Sequence, residues 1–192
     1  SRVGAPRGPR NHDGTIIPET VDTMWGTDLT TTITGEGQVA VFVAVDHGSA
    51  ECVGIHAARR ATRFEALEPI RQGVRRCLGG FAQGIGRGLS ARHDHGSQYM
   101  SNAFQLELAF LGIESSPAFV RAPEGNGCAE RFIRTLKENL LWVRTFDTVE
   151  ELRQALLDFR ESYNTTWLIE RHGFQTPAAV RQNQLSTAAR AA

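Results

Sequence analysis

The sequence is poor in the features that define several common classes of protein. Its three cysteines, Cys52, Cys77 and Cys128, are odd in number and show no C-x-x-C spacing, which argues against a disulfide framework and against a structural zinc site. No apolar run approaches the roughly 18 residues of a membrane span, and no signal peptide opens the chain. We therefore expect a reduced protein of the cytoplasm that has no membrane partner.

The chain also lacks a net charge, because 21 basic residues balance 21 acidic ones. A domain that binds nucleic acid on its own is usually basic, so this balance argues against strong autonomous DNA binding. It is compatible with a catalytic module whose affinity for DNA comes from a partner domain. Lys137 is the only lysine, and the other 20 basic residues are arginines.

The composition predicts one folded domain with flanking segments. With 192 residues, 41% of them hydrophobic, the chain is long enough to build a core of ordinary size. Residues 1–20 are rich in arginine, proline and glycine and predict a linker or arm. Residues 21–182 form the expected core, and residues 183–192 the expected tail. Because the chain starts with Ser1 rather than Met, we expect a fragment or a processed product.

Hydrophobic patterning predicts an α/β domain. Alternating or continuous apolar runs bounded by turn residues predict strands, and apolar residues at three- and four-residue steps with capping residues predict helices. The predicted strands are 24–32, 38–46, 51–57, 89–93 and 113–116, and the predicted helices include 64–78 and 101–111. A further helix follows the loop 117–126, and Thr148 with Glu151 opens another as a capping box. A short helical tail closes the chain.

The stretch from Gly125 to Asn139 carries the most chemistry. Its Gly-Asn-Gly turn leads directly into a helical pattern, in which Glu130, Arg134 and Lys137 share one face. The apolar stripe of the same helix is predicted to bury Phe132, Ile133, Leu136, Leu140 and Val143. Taken alone, the polar face is equally well interpreted as a solvated surface with a Glu–Arg pair.

Two aspartates elsewhere change that balance. Asp94 precedes Glu130 with 35 residues between them, and Asp28 lies further upstream in Trp-Gly-Thr-Asp-Leu-Thr. This pattern resembles the integrase-core transposases of bacterial insertion elements, relatives of the retroviral integrases, which carry an Asp, Asp, Glu triad with that final spacing. The resemblance runs from about Trp25 to Pro177.

The resemblance implies the ribonuclease H-like fold. This fold has three strands, a helix, a strand, a helix, a strand and two helices, in the same order as the predicted elements. The resemblance therefore implies a mixed five-stranded sheet of order 3-2-1-4-5 flanked by helices. Asp28 would then lie on the first strand, Asp94 just past the fourth, and Glu130 on a helix that crosses nearby. The three carboxylates would converge.

The chemistry implied is phosphodiester cleavage and transfer. Oxygen ligands suit Mg²⁺ or Mn²⁺, and two such ions can serve both ends of an in-line displacement. The resemblance assigns Asp28, Asp94 and Glu130 as catalytic and metal-binding residues, with Asp28 bridging both ions. By the same resemblance, water cleaves a strand at the element end, and the freed 3′-hydroxyl attacks a target phosphodiester without a covalent protein–DNA intermediate.

Other residues near the triad are weaker candidates. The resemblance suggests DNA contacts for the residue ahead of the catalytic helix and for the cations on that helix, namely Asn126, Arg131, Arg134 and Lys137. Turn chemistry explains Asn126 equally well, and a solvated helix surface could explain the cations. His93 and His95 flank Asp94 and are possible accessory residues for proton transfer or phosphate binding, with a spectator role in the turn as the alternative.

The expected partners follow from the family. They are DNA, as element ends and as target, and further copies of the chain in the active complex. The upstream helix-turn-helix segment of the family is missing from this chain, and the expected setting is the bacterial cytoplasm, at the nucleoid during action. Two alternatives stay open, a ribonuclease H-like nuclease and a non-catalytic module for DNA docking or oligomerisation, because a fold hosts many functions.

Overall fold

The computed structural model describes residues 18–118 and 123–191. The predicted arm therefore falls largely outside the described residues, as do positions 119–122 of the predicted loop. In the described part of the chain, none of the helices combines the length and the apolarity needed to cross a membrane.

A mixed five-stranded sheet forms the centre of the domain. Its strands are β1 Met24–Thr34, β2 Gly37–Asp46, β3 Cys52–Ala58, β4 Ser90–His93 and β5 Glu114–Pro117. They lie in the order β3-β2-β1-β4-β5, with β1, β2 and β3 antiparallel and β4 and β5 joined in parallel. The predicted strand order is confirmed. Tight turns between β1, β2 and β3 explain the antiparallel half, and helical crossovers explain the parallel half.

Helices connect and cover the sheet. They are α1 Arg63–Cys77, α2 Ser97–Met100, α3 Asn102–Leu111, α4 Gly127–Leu136, α5 Val149–Thr166 and α6 Pro177–Ala191. Short 3₁₀ turns occupy Pro123–Asn126 and Glu170–His172, and a π-helical turn occupies Lys137–Leu141. The caps read from the sequence are present: Ser101 opens α3, and Thr148 with Glu151 forms a complete capping box on α5.

The two faces of the sheet bury separate apolar cores. Alternate side chains of β2 point in opposite directions, so Val41 and Val43 pack against α4 and α5, whereas Phe42 packs toward α1 and α3. Trp25 is fully buried on the α1 side, as a core residue should be. The sheet therefore separates an α1–α3 layer from an α4–α5 layer.

One prediction about α4 is wrong: Val143 is 64% exposed rather than buried. The cause is the π turn, in which the Trp142 backbone N–H donates to the Lys137 carbonyl five residues earlier. This wider turn shifts the helical phase, so that Leu141 is buried in place of Val143, while Leu140 is buried as predicted. Single π turns occur frequently at functional sites.

A buried ion-pair cluster joins α6 to the segment before β1. The Arg181 guanidinium donates two hydrogen bonds to Asp22, of 2.6 and 2.9 Å, and its Nε also contacts Glu51. Glu51 is 3% exposed. Because α6 runs without interruption to Ala191, the predicted boundary between residues 182 and 183 falls inside a continuous helix.

We predict that Arg181→Ala destabilises the domain by about 3–5 kcal/mol, because it leaves buried carboxylates without a compensating charge. Denaturant unfolding measures the change. Arg190→Ala, on the exposed end of α6, is the control and should change stability by no more than about 0.5 kcal/mol. Equal stability of the two variants would show that the cluster contributes nothing.

Candidate active site

Asp28 occupies the middle strand of the sheet, opposite Val43 of β2. Its side chain is partly buried, and its Oδ1 accepts a hydrogen bond of 2.8 Å from the Leu29 backbone N–H. The two neighbouring residues, Thr27 and Leu29, lie on the opposite face of the strand. The strand therefore fixes the direction of this carboxylate.

Asp94 follows directly after β4, the strand that pairs with β1. Its side chain is exposed, and its Oδ1 accepts a hydrogen bond of 2.7 Å from the Gly96 backbone N–H. This local bond is a turn typical of aspartate. It holds one carboxylate oxygen and leaves the other accessible.

Glu130 lies in the first turn of α4 and is exposed. The helix is strongly amphipathic because Phe132, Ile133 and Leu136 are buried against the sheet. Their packing directs the opposite face, with Glu130, toward solvent. A carboxylate near a helix N-terminus is also favoured by the helix dipole.

The three carboxylates interact through their charges. Burial is the main cause that raises the pKa of Asp28 to about 6, and the charges of Asp94 and Glu130 contribute to that rise. The Lys137 ammonium group lowers it, as does the hydrogen bond from Leu29. The three elements thus bring the predicted triad into one electrostatic neighbourhood. Among the described residues, however, no group of three or more His, Cys, Asp or Glu side chains is arranged to hold a metal ion as it stands.

The predicted cations of α4 differ from one another in their contacts. Lys137 lies in the π turn, partly buried, and acts on Asp28. Arg134 is 79% exposed and donates a hydrogen bond of 2.9 Å to Glu138. Arg131 is exposed. Their predicted contacts with DNA stay predictions.

Asn126 holds the start of α4 against β1. Its side chain is 5% exposed, and its amide Nδ2 donates a hydrogen bond of 3.0 Å to the Thr27 carbonyl. Gly26 makes room for it: a Cβ atom there would lie 2.4 Å from Asn126 Oδ1 and 2.5 Å from His47 Nε2. Asn126 thus links the strand of Asp28 to the helix of Glu130. Its predicted contact with DNA stays a prediction.

Two arginines reinforce the same junction. Arg92, 8% exposed, donates from Nη1 to the Pro117 carbonyl at 3.2 Å and packs against Gly125. Arg171 donates from Nη2 to the His47 carbonyl at 2.7 Å and lies 3.8 Å from Cys128 Sγ. The segment from Gly125 to Cys128, which immediately precedes Glu130, is therefore held from both sides.

The two histidines beside Asp94 have different surroundings. His93 is fully buried, its ring nitrogens lie 2.5 Å from the Asp94 carbonyl and 2.8 Å from Ser115 Oγ, and its ring stacks on Tyr99. Burial lowers the pKa of His93. His95 is exposed. The predicted accessory role is therefore sterically open to His95 alone, and it stays a prediction.

Sequence reasoning missed Arg92, Gly26 and the positioning contact of Asn126. One signal was available for Arg92: it lies two residues before Asp94, and a strand that ends at His93 turns Arg92 and His93 to opposite faces. Nothing local marks Gly26, because the atoms it accommodates come from distant parts of the chain. The contact of Arg171 with the His47 carbonyl likewise depends on tertiary structure.

Comparison with known proteins identifies the domain. Residues 111–182 match the family model described as integrase core domain. The chain carries an integrase core. It is 31% identical over 172 residues to the transposase for insertion sequence element IS904 of Lactococcus lactis, a match that covers 86% of this chain and 64% of that protein.

Further relatives agree with this family. The integrase-core chain is 26% identical over 166 residues to the transposase for insertion sequence element IS629 of Shigella sonnei, covering 85% of this chain and 53% of that protein. The chain thus corresponds to between half and two thirds of these relatives' length. The recognition of a bacterial insertion-element transposase core is confirmed.

Solved structures show the same fold. The catalytic core domain of BIV integrase superimposes with a TM-score of 0.63 at 20% identity, covering 87% of this chain and 98% of that one. The HTLV-2 integrase catalytic core domain in complex with magnesium gives a TM-score of 0.59 at 17% identity, covering 87% and 99%. The predicted ribonuclease H-like fold is confirmed for this integrase core.

The raised pKa of Asp28 predicts a pH-dependent stability. Folding raises this pKa, so the ionised carboxylate destabilises the folded protein above pH 6, and the effect fades as pH falls through that value. In metal-free buffer, Asp28→Asn should therefore stabilise the domain by about 1–2 kcal/mol above about pH 7, a figure reduced for the partial exposure of the group. The gain should vanish toward about pH 4.

Thermal unfolding across this pH range measures the effect. Asp147→Asn, which changes an exposed aspartate before α5, is the control and should give no pH-dependent difference. A gain for Asp28→Asn that is constant with pH would contradict the electrostatic origin.

We predict that Gly26→Ala disturbs the site more than it disturbs the fold. The added methyl would displace Asn126 and His47, and the start of α4 would move with them. The strand-cleavage activity proposed below should fall by about 100-fold, the penalty that a misplacement of about 1 Å can cause, with a modest loss of thermal stability. Gly80→Ala, where a Cβ would meet only Ile85 at 3.7 Å, should leave both unchanged. If Gly26→Ala retained full activity, the role of Asn126 in positioning Glu130 would be contradicted.

Proposed function

We propose that the chain is the catalytic core of a DNA transposase, which cleaves a DNA strand at the element end and transfers it to a target. One observation carries this proposal: three carboxylates from β1, the end of β4 and α4 share one electrostatic neighbourhood. The integrase-core match and the transposases among the relatives support the same class, that of the polynucleotidyl transferases.

Asp28, Asp94 and Glu130 are the proposed ligands of Mg²⁺ or Mn²⁺. Their donor set fits such ions, because hard cations bind carboxylate oxygens and keep several waters. The raised pKa of Asp28 also fits, since it reflects burial and two nearby negative charges, a combination that a bound cation relieves. Two such ions, when bound, would stabilise the attacking and leaving oxygens of an in-line displacement.

The side chains of this chain would position the reacting DNA. Lys137 is close enough to lower the pKa of Asp28, and from that position its ammonium group could contact a phosphate bound at the triad. Arg131 directly follows Glu130 and Arg134 lies about one turn further along α4; both are exposed and extend the cationic surface. Asn126 would act as a positioning residue, because it fixes α4 relative to β1.

The proposed reaction has two displacements at phosphorus. Water hydrolyses one phosphodiester and frees a 3′-hydroxyl, which then attacks a second phosphodiester, and the leaving oxygen takes the bonding electron pair each time. No serine or tyrosine nucleophile is needed, so no covalent protein–DNA intermediate forms. The proposed partners are DNA and further copies of the chain, in the bacterial cytoplasm at the nucleoid, and an upstream DNA-binding segment would supply affinity.

We predict that Glu130→Gln abolishes metal-dependent strand transfer while the protein stays folded. Glutamine keeps the shape of the side chain and removes its charge. The rate should fall by more than about 100-fold, since even the outer-shell partners of metal ligands contribute about 10- to 100-fold. A branched or pre-nicked DNA intermediate with Mg²⁺ or Mn²⁺ is the substrate, because it reduces the need for end recognition.

Glu150→Gln is the matched control, because Glu150 is an exposed residue in the first turn of α5. It should retain full activity. Cleavage without any joining would identify a nuclease instead. Absence of both reactions, together with absence of metal binding measured by calorimetry, would leave a non-catalytic module and overturn the proposal.

A further inference from the structure

Three neighbouring arginines, two in the β3–α1 connection and one at the start of α1, are exposed and have no carboxylate partner in the described part of the chain. We call Arg59, Arg60 and Arg63 the arginine ridge. Six other arginines form ion pairs with carboxylates, but no described ion pair involves the ridge. The only described hydrogen bond of a ridge side chain joins Arg59 to the Glu36 carbonyl at 3.4 Å. Three guanidinium groups are thus available together.

The local fold explains why the ridge is exposed. β3 ends at Ala58 and α1 begins at Arg63, with Thr62 as its N-cap, so a four-residue connection concentrates the charges at one corner. The Arg63 guanidinium lies 4.9 Å from the centre of the Phe64 ring, which is 54% exposed. The positive end of the α1 dipole adds to the same corner.

The nearby carboxylates are engaged elsewhere. Glu65 Oε2 lies 2.5 Å from His56 Nε2, and Glu36 accepts a hydrogen bond of 2.6 Å from the Val149 backbone N–H at the start of α5. Neither forms a described ion pair with the ridge. A chain with zero net charge therefore keeps a local excess of positive charge here.

A groove runs from Arg63, at one end of the ridge, to α2, which follows the turn that carries Asp94. It has a volume of about 390 Å³, and Arg63 and Phe64 line one side, while Ser97 and Gln98 of α2 line the other. Gln98 borders Asp94: a Cβ at Gly96 would lie 2.6 Å from Gln98 Nε2 and 2.9 Å from Asp94 Oδ1. The groove thus leads from Arg63 toward the Asp94 side of the site.

We propose that the arginine ridge binds the sugar-phosphate backbone of a second DNA duplex, which approaches the triad along the groove beside Asp94. The inference rests on the proposed function, because strand transfer needs two DNA segments at one site. The cations of α4 lie on the opposite face of the sheet from α1, so one surface contacts each segment. Guanidinium groups suit phosphate recognition, and the exposed Phe64 offers an apolar contact beside them.

Duplex binding by a ridge variant tests this proposal without requiring catalysis. The ridge variant carries Arg59→Gln, Arg60→Gln and Arg63→Gln in the 192-residue chain, and the probe is a short blunt duplex of arbitrary sequence in metal-free buffer. Each phosphate contact contributes about 0.9 to the magnitude of the slope of log affinity against log salt concentration. Between about 50 and 200 mM salt, the magnitude of this slope should therefore be smaller by about 2–3 for the triple variant than for the wild type. At low salt its affinity should fall at least about tenfold.

Two controls separate position from charge. Gln substitutions at Arg75, Arg87 and Arg190, which are also exposed, remove the same charge elsewhere and should retain most of the affinity. Lys substitutions at the three ridge positions keep the charge and should retain the salt slope. Thermal unfolding verifies that all three triple variants fold.

The outcomes distinguish the two proposals. If the ridge variant binds the duplex like the wild type, or no worse than the control variant, the proposed DNA binding by the ridge is wrong. This holds even if the wild type carries out strand transfer. If only the ridge variant loses binding, the proposed DNA binding by the ridge is supported, even if the wild type joins no DNA. Efficient strand transfer by the ridge variant at limiting target duplex would also overturn it.

Discussion

The repulsion among three carboxylates is the constraint on which the rest of this structure depends. Asp28 is partly buried on the central strand, where burial and the charges of Asp94 and Glu130 together raise its pKa to about 6. The fold therefore maintains an arrangement that opposes its own stability in the absence of a cation. Only a rigid framework can do this, and the sheet with its two apolar cores provides it. The most destabilised carboxylate lies on the most firmly held element.

The framework is least secure where α4 meets the sheet, since Glu130 is carried by a helix rather than a strand. Asn126 compensates by bonding the Thr27 carbonyl next to Asp28, and Arg92 and Arg171 hold the preceding segment. These contacts are polar and at least partly buried. A buried polar group without its partner raises the free energy of the folded state, whereas a completed hydrogen bond fixes the relative position of the groups it joins. Apolar packing of α4 alone would tolerate small slides of the helix. The polar contacts define its position, and the geometry of a metal site requires such definition.

Much of this architecture follows from local sequence, and the remainder does not. The strands, the caps of α3 and α5, and the triad are recognisable because period, capping residues and the 35-residue interval are properties of the chain itself. The predicted burial of Val143 was wrong because the π turn at Lys137–Leu141 changes the helical phase. The apolar pattern of the sequence contains no signal of that change. Arg92 and Gly26 owe their roles to atoms from distant segments. The residues that position the site are therefore harder to predict than those that act in it.

The distribution of charge explains how a neutral chain could act on DNA. Net charge governs long-range attraction to a polyanion, and here it vanishes. Local charge is different: five described arginines outside the site pair with carboxylates, whereas the ridge does not. Pairing weakens nonspecific attraction at those positions, while unpaired cations remain at the ridge and beside Glu130, on opposite faces of the sheet. A module built in this way would bind DNA weakly at random and more firmly where two duplexes meet the carboxylates together, which is the arrangement that strand transfer requires.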